Sequence, residues 1–426
     1  MAKFITMKRI LPWVIYFLLC IPERVKAKVI YFFPVETSRE IQGKVDKIAA
    51  YDTLYFNAGT FHLEGLVIIK PCTVTGDMSA ILDGAGTYEL ITISSESVAV
   101  RNLNLQNSGY SSMNDYAAIK IINAKNVLIE NTRITGAYFA IHISNSSYCT
   151  IRNNVITGKS ISEQLNGNAI HLWKCNHMTI EQNEVSHHRD GIYLEFVTHS
   201  VIKDNVSTHQ LRYGLHFMFS NDDEYACNTF EQNGAGVAVM YSHNVMMKRN
   251  VFKNNWGPSA YGLLLKDISD GEISENEFKE DTRGIQMEGS NRISIHHNEF
   301  KDDGWGLAIQ ANCAENNITN NNFINNSFDI STNGDVTLNT CDYNYWDEYE
   351  GYDLNKDGVG DIPYHPLSMM AMMIEQNPSL LILVKSFMMQ LFERMEKSIP
   401  TLTPEHFVDL HPMIKSIHHD PNRTPE

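Results

Sequence analysis

Histidine and methionine alternate with apolar residues in two aligned heptapeptides, and there the residue types first suggest chemistry. YGLHFMF (213–219) and AGVAVMY (235–241) align without gaps. Their third and fifth residues are apolar while the fourth and sixth vary, the period of a half-buried strand. His216, Met218 and Met240 therefore face the same way from neighbouring strands. An imidazole and two thioethers form a soft donor set that prefers Cu(I) to Mg2+ or Ca2+. The alignment extends back through NAIHLWK (168–174) and FAIHISN (139–145), which puts His171 and His142 in the same column. The plainer alternative is that the column is a surface for a side helix.

A second set of candidates is hard rather than soft. In NYWDEYEGYDLNKDGVGDIPYHP (344–366), Asp353, Asn355, Asp357, Gly358 and Asp361 fall at positions 1, 3, 5, 6 and 9 of a calcium-loop pattern, with the Val359 carbonyl at position 7. Position 12 is Tyr364, so the bidentate glutamate of an EF-hand is missing. Without metal the same residues make an Asx-rich turn.

Both sets need a scaffold, and the scaffold is a repeat. The chain has 40 asparagines, all but four of them between positions 100 and 345. Segments such as IEQN (180–183), IKDN (202–205), FEQN (230–233), ISEN (273–276) and ITNN (318–321) recur at about 22 residues, the coil length of a parallel β-helix. Between them lies the series DGIYLEF (190–196), YGLLLKD (261–267), RGIQMEG (283–289) and WGLAIQA (305–311). No coil can bury its apolar face alone, so stacking supplies the core. Asparagines at the turns can bond to their counterparts one coil away. Residues 34–50 read as a helix with Thr37 or Ser38 as N-cap, placed to cover the open end. The expectation is an all-β parallel β-helix with an N-terminal helical cap and a C-terminal α-helical appendage.

The remaining segments set context. Lys3, Lys8 and Arg9 precede an apolar run too short for a membrane helix, so residues 1–27 read as a signal peptide. Residues 28–345 are the capped β-helix, 346–366 the calcium-type loop, 367–410 an apolar, Met-rich helical segment divided by Pro378, and 411–426 a flexible tail. In the helical segment Met369, Met373, Leu380, Val384, Phe387, Met388 and Leu391 lie on apolar faces suited to docking on another protein. The seven cysteines are scattered without a CxxC pair, and most read as small buried residues. Over 426 residues the formal charge is −16, which argues against nucleic acid. Exported β-helices can also bind or cleave polysaccharides. The outward slots offer Glu195 and Glu288 several coils apart with Lys266 between them, not a carboxylate pair at glycosidase spacing. A secreted carbohydrate-binding or polysaccharide-cleaving protein is thus the alternative reading.

The run RYGLHFMFSNDDEYACNTFEQNGAGVAVMYSHNVMMKRNVFKNNWGPSAYGLLLKDISD (212–270), together with residues 344–366 and the apolar segment behind them, resembles the NosD family. The likeness covers essentially the whole mature chain. It implies a right-handed parallel β-helix and a non-catalytic periplasmic maturation factor of nitrous oxide reductase. It also implies an ABC-type complex with a NosF-like ATPase and a NosY-like permease, and a NosL-like copper donor. The copper residues above rest on the ladder and not on the resemblance; the Met-rich helices become the natural element to meet the permease.

Overall fold

Three short strands joined by turns make each coil. In one coil they are Thr179–Glu181, Glu184–Ser186 and Ile192–Glu195. Each pairs in parallel with its counterpart one coil away, as Thr179–Glu181 does with Val201–Lys203. In this computed structural model the pairings build sheets of 14, 13 and 12 strands, called here the first, second and third sheets. The described residues are 27–111, 115–159, 162–334, 338–383, 386–387, 391 and 407–417. The chain is a right-handed-type parallel β-solenoid of about 13 turns.

The period-two pattern explains the core. Ile192, Leu215, Val237, Leu263, Ile285 and Leu307 stack inward along the third sheet, each fully buried. Phe230, Phe252, Phe278, Phe300, Phe323 and Trp346 form a parallel column on the second sheet, with ring centroids 4.4–5.4 Å apart. Offset aromatic contacts add to the area they bury.

The asparagines do what their period suggests. Asn154, Asn183, Asn205, Asn228, Asn250, Asn276, Asn298, Asn321 and Asn344 form one continuous inner ladder. Each side-chain oxygen accepts the backbone N–H of the preceding rung, as in Asn205 to Asn228 at 3.0 Å. Each amide nitrogen donates onward and also back to a strand carbonyl, as Asn250 does to Asn276 Oδ1 and Tyr225 O. Every rung thus satisfies turn groups that would otherwise be buried and unpaired, at about 1 kcal/mol net per bond. A second inner ladder runs Gln210, Asn233, Asn255, Asp281, Asp303, Asn326.

Both ends are closed. At the N-terminal end Ser38–Val45 is a helix whose Thr37 cap bonds reciprocally with Glu40, and Ile41 and Val45 seal the core. At the other end the helix Met369–Gln376 buries Met370, Ala371 and Ile374 against Trp305 and Phe328. Two expectations change here. Directly after Pro378 the chain forms a 3-10 helix, Pro378–Leu383, because the proline removes an N–H and restricts the residue before it, and farther on Phe387 and Leu391 are α-helical. Val384 and Met388 lie outside the described residues, as do residues 1–26 of the expected signal peptide. The tail is also not free from residue 411. Asp409 is fully buried and accepts from Asn344 N (2.9 Å) and Trp346 Nε1 (2.9 Å), so it is the terminal rung of the asparagine ladder. Met413 N and Ile417 N bond to Asn344 O and Asn322 Oδ1. All six described cysteines are unpaired, five of them buried and Cys227 exposed.

Candidate functional site

The third sheet carries the soft column in the expected register. Lys120 pairs with His142, His142 with His171, His171 with Tyr193, Tyr193 with His216, and His216 with Ala238. In the neighbouring outward column Trp173 pairs with Glu195, Glu195 with Met218, Met218 with Met240, and Met240 with Lys266. His216 and Met218 lie two residues apart on one strand, so the two columns meet at His216, Met218 and Met240. His142 and His171 join the same face farther along the axis, separated from His216 by Tyr193.

The column is less open than an outward position suggests. His216 is 5% exposed and His142 7%. Aromatic residues at the start of the strands lean over them. Phe139 lies 5.4 Å from the His142 ring, and Tyr213 lies 4.7 Å from the His216 ring. His142, His171, Tyr193 and His216 form a file of rings at 4.8–4.9 Å. Burial lowers the pKa of His142 to about 4 and of His171 to about 3, so both imidazoles stay neutral in the form that binds metals. Met218 and Met240 are half-buried.

The environment of His216 is unusual. Both ring nitrogens are buried without a hydrogen-bond partner. Beside it lies the carboxylate of Asp190, fully buried, with Oδ2 at 3.8 Å from Nδ1; that oxygen makes no hydrogen bond but lies 3.6 Å from Arg189 Nε. Asp190 was missed as a candidate. Its signal was that it is the one acid in a column otherwise filled by Asn168, Tyr213, Ala235, Tyr261, Arg283 and Trp305. Tyr193 points its hydroxyl at Glu195 Oε2 (3.4 Å) and Met218 Sδ (3.7 Å), so it touches the thioether that the column offers. Among the described residues no three His, Cys, Asp or Glu side chains converge as a metal site. What the face does offer is sulfur and imidazole, which suits a low-coordinate soft ion.

The other candidates lie elsewhere. Glu195 stays between Trp173 and Met218, and Glu288 is paired with Lys266 at 3.5 Å. In the calcium-type loop the carboxylates are turned onto the loop's own amides. Asp353 accepts from Lys356 N and Gly358 N, Asp357 from Val359 N, and Asp361 from Leu354 N at 2.6–2.9 Å. Asn355 Nδ2 donates to Asp357 Oδ2. Tyr364, in the place of the twelfth-position glutamate, instead packs on Trp346 and exchanges backbone bonds with Asp409. Of the docking residues, Met373 (40% exposed), Phe387 (80%) and Leu391 (44%) face solvent, while Leu380 lies against the end cluster.

Comparison with known proteins bears on the family and the fold. Residues 153–351 match the NosD family, described as periplasmic copper-binding protein. A Pseudomonas aeruginosa protein named "probable ABC transporter binding protein NosD" is 27% identical over 374 residues, covering 82% of this chain and 85% of that protein. A Stutzerimonas stutzeri protein of the same name is 27% identical over 116 residues, about a quarter (26%) of either chain. Among solved structures, the Streptococcus pneumoniae surface adhesin PfbA superposes with TM-score 0.56 at 12% identity, over 71% of this chain and 90% of its own. The Dettilon tailspike protein does so with TM-score 0.53 at 14% identity, over 70% and 68%. These two share the fold.

Proposed function

Taking as premise that the chain belongs to the NosD family, we propose that it is a periplasmic, non-catalytic component of an ABC-type transporter complex that receives Cu(I) and delivers it for assembly of the copper centres of nitrous oxide reductase. The observation that carries the reading is the register that sets Met218 against Met240 beside His216, whose ring nitrogens have no other partner. Copper is cargo here. Two thioethers and one imidazole hold a soft ion without fully enclosing it, which suits transfer better than storage. His171 and His142 are the next donors along the same face.

The other parts divide the work. A NosF-like subunit hydrolyses ATP and a NosY-like permease anchors the complex at the inner membrane. Met373, Phe387 and Leu391 present an apolar surface to the permease, next to the helix that closes the solenoid. A NosL-like protein supplies copper. The loop from Asp353 to Asp361 binds Ca2+ through Asp353, Asn355, Asp357, the Val359 carbonyl and Asp361, stiffening the same end of the chain.

The deciding experiment is a Cu(I) titration against a competing chelator under anaerobic, reducing conditions. Met218→Leu with Met240→Leu keeps volume and apolarity. It is expected to weaken Cu(I) binding at least tenfold with little change in melting temperature. Equal affinity before and after the double substitution would reduce the column to a packing surface.

A further inference from the structure

Three histidines share the outer face of the third sheet, and each has a different neighbour at its ring edge. His142 brings Nε2 to 3.9 Å from the carboxylate of Asp115, which is exposed. His171 has Asn168 Nδ2 at 3.1 Å from its Nδ1. An amide N–H meets that nitrogen only where the ring carries its proton on Nε2. His216 instead has the carboxylate of Asp190 beside Nδ1. Asn168 and Asp190 are successive members of one column, two residues ahead of the paired Ile170 and Ile192, and both are fully buried. The two rungs thus differ by one amide nitrogen in place of one carboxylate oxygen.

That exchange sets opposite tautomers. Asp190 Oδ1 accepts the Tyr213 N–H at 3.3 Å, and Oδ2 lies 3.6 Å from Arg189 Nε, so the other groups facing this side chain are donors. A carboxylate only accepts. Its Oδ2 stands 3.8 Å from His216 Nδ1, beyond a hydrogen bond by about 0.6–1 Å, which a small turn of the ring closes. Closure requires the proton on Nδ1 and leaves the lone pair on Nε2. No group of the protein bonds to that Nε2. The rings of Tyr193 and Tyr213 pack on His216 at 4.9 and 4.7 Å, which limits the orientations open to it. A metal-binding imidazole commonly has its second nitrogen held by a carboxylate, which fixes the tautomer and makes the first nitrogen a better donor. Among the three histidines, His216 has that partner as a fully buried carboxylate at Nδ1.

We propose that Asp190 is a positioning residue: it holds the His216 proton on Nδ1 and so presents Nε2 to Cu(I) beside Met218 and Met240, while Asn168 keeps His171 in the opposite tautomer and in second place as a donor. This rests on the copper reading above, and the first measurement is made without copper so that the two can fail separately. Nitrogen NMR of selectively labelled histidines in the metal-free full chain near neutral pH, with His216→Phe identifying the signal, is expected to find the His216 proton on Nδ1. Asp190→Asn keeps an oxygen for the Tyr213 N–H, and that bond turns the amide N–H toward His216, the arrangement already present at Asn168 and His171. In this variant the His216 proton is expected on Nε2, the melting temperature is expected to change little, and Cu(I) affinity against a competing chelator is expected to fall at least tenfold. A wild type with the proton on Nε2 or on both nitrogens overturns the proposal, and this result needs no variant to fold. A tautomer that is the same in Asp190→Asn, or Cu(I) affinity that survives the switch of tautomer, overturns it as well. Equal Cu(I) affinity in wild type and in Met218→Leu with Met240→Leu overturns the copper reading alone, since the tautomers are read in the absence of metal.

Discussion

The inner ladder and the outer face of the third sheet are built from the same coils at the same spacing, yet they treat polar atoms in opposite ways. Inside, each asparagine from 183 to 321 both accepts and donates to its neighbours, with no side-chain nitrogen or oxygen left over. Outside, His216 is buried with both ring nitrogens free of hydrogen bonds, and Asp190 Oδ2 beside it makes none either, approaching only Arg189 Nε at 3.6 Å. Satisfied polar groups inside a repeat serve stability. Unsatisfied ones on its outer face serve something that stability does not require. Substitution can press on this contrast from either side.

The largest effect should come from the middle of the inner ladder. Asn250→Leu removes the acceptor of Asn228 N and the donors to Asn276 Oδ1 and Tyr225 O. With several buried groups left unpaired, the expected loss is about 3–5 kcal/mol, read as a shift of the urea midpoint. A loss below about 1 kcal/mol would mean that the ladder follows the fold without supporting it.

The end of the ladder should matter somewhat less. Asp409→Ala leaves Asn344 N and Trp346 Nε1 without their acceptor, while Tyr343 N keeps Asp342 Oδ1. About 2 kcal/mol is expected, together with faster proteolysis of residues 407–417. Unaltered proteolysis would show that Phe407, Met413 and Ile417 hold the segment without that rung.

How far these features could be read from the sequence follows from their periodicity. The strand column from Ile192 to Leu307 and the asparagine ladder repeat at coil length, so alignment exposes them, as it exposed the register of His216, Met218 and Met240. Asp409 is invisible to that method because the chain leaves the repeat at Trp346 and returns more than sixty residues later to supply one rung. The burial of His216 and His142 was equally hidden. It depends on Phe139 and Tyr213, whose lean over the column is a tertiary fact and not a pattern in the sequence. Asp190 escaped because a lone acid in a variable column looks like noise until its distance to an imidazole is known.

The second inner ladder offers a pH-dependent test. Asp281 and Asp303 occupy rungs that are Asn255 and Asn326 on either side, each accepting a backbone N–H through Oδ1 and leaving Oδ2 unpartnered. Burial raises both carboxyls well above the ordinary aspartate value, with the neighbouring Asp281 carboxylate and then Asp302 adding to the effect at Asp303, and Glu280 at both. The folded state therefore holds protons that the unfolded chain releases near pH 3.8. The stability this contributes is complete below that pH and is lost as pH rises through the folded values. In Asp281→Asn with Asp303→Asn the rungs no longer titrate. The variant should gain in melting temperature over the wild type progressively as pH rises. A residual slope should remain from Asp329 and Asp223, raised by burial to about 7 and about 8. A constant offset between pH 5 and 9 would show that these carboxyls do not titrate on folding.

The smallest change in stability, and the most telling for the contrast, is expected at His216. Phenylalanine fills a similar ring volume, and the register places it between Tyr193 and Ala238 on a face already lined by aromatic rings. Because neither nitrogen of His216 makes a hydrogen bond, His216→Phe breaks none and removes two buried polar atoms, while the Asp190 carboxylate keeps the Tyr213 N–H and the nearby Arg189 guanidinium. Stability should stay within about 1 kcal/mol of the wild type or rise, while Cu(I) affinity falls. The same exchange of a polar for an apolar side chain that is costly at Asn250 would then be free at His216. A loss above about 2 kcal/mol with Cu(I) binding intact would place this histidine with the inner asparagines, as a structural group whose partner is the Asp190 carboxylate.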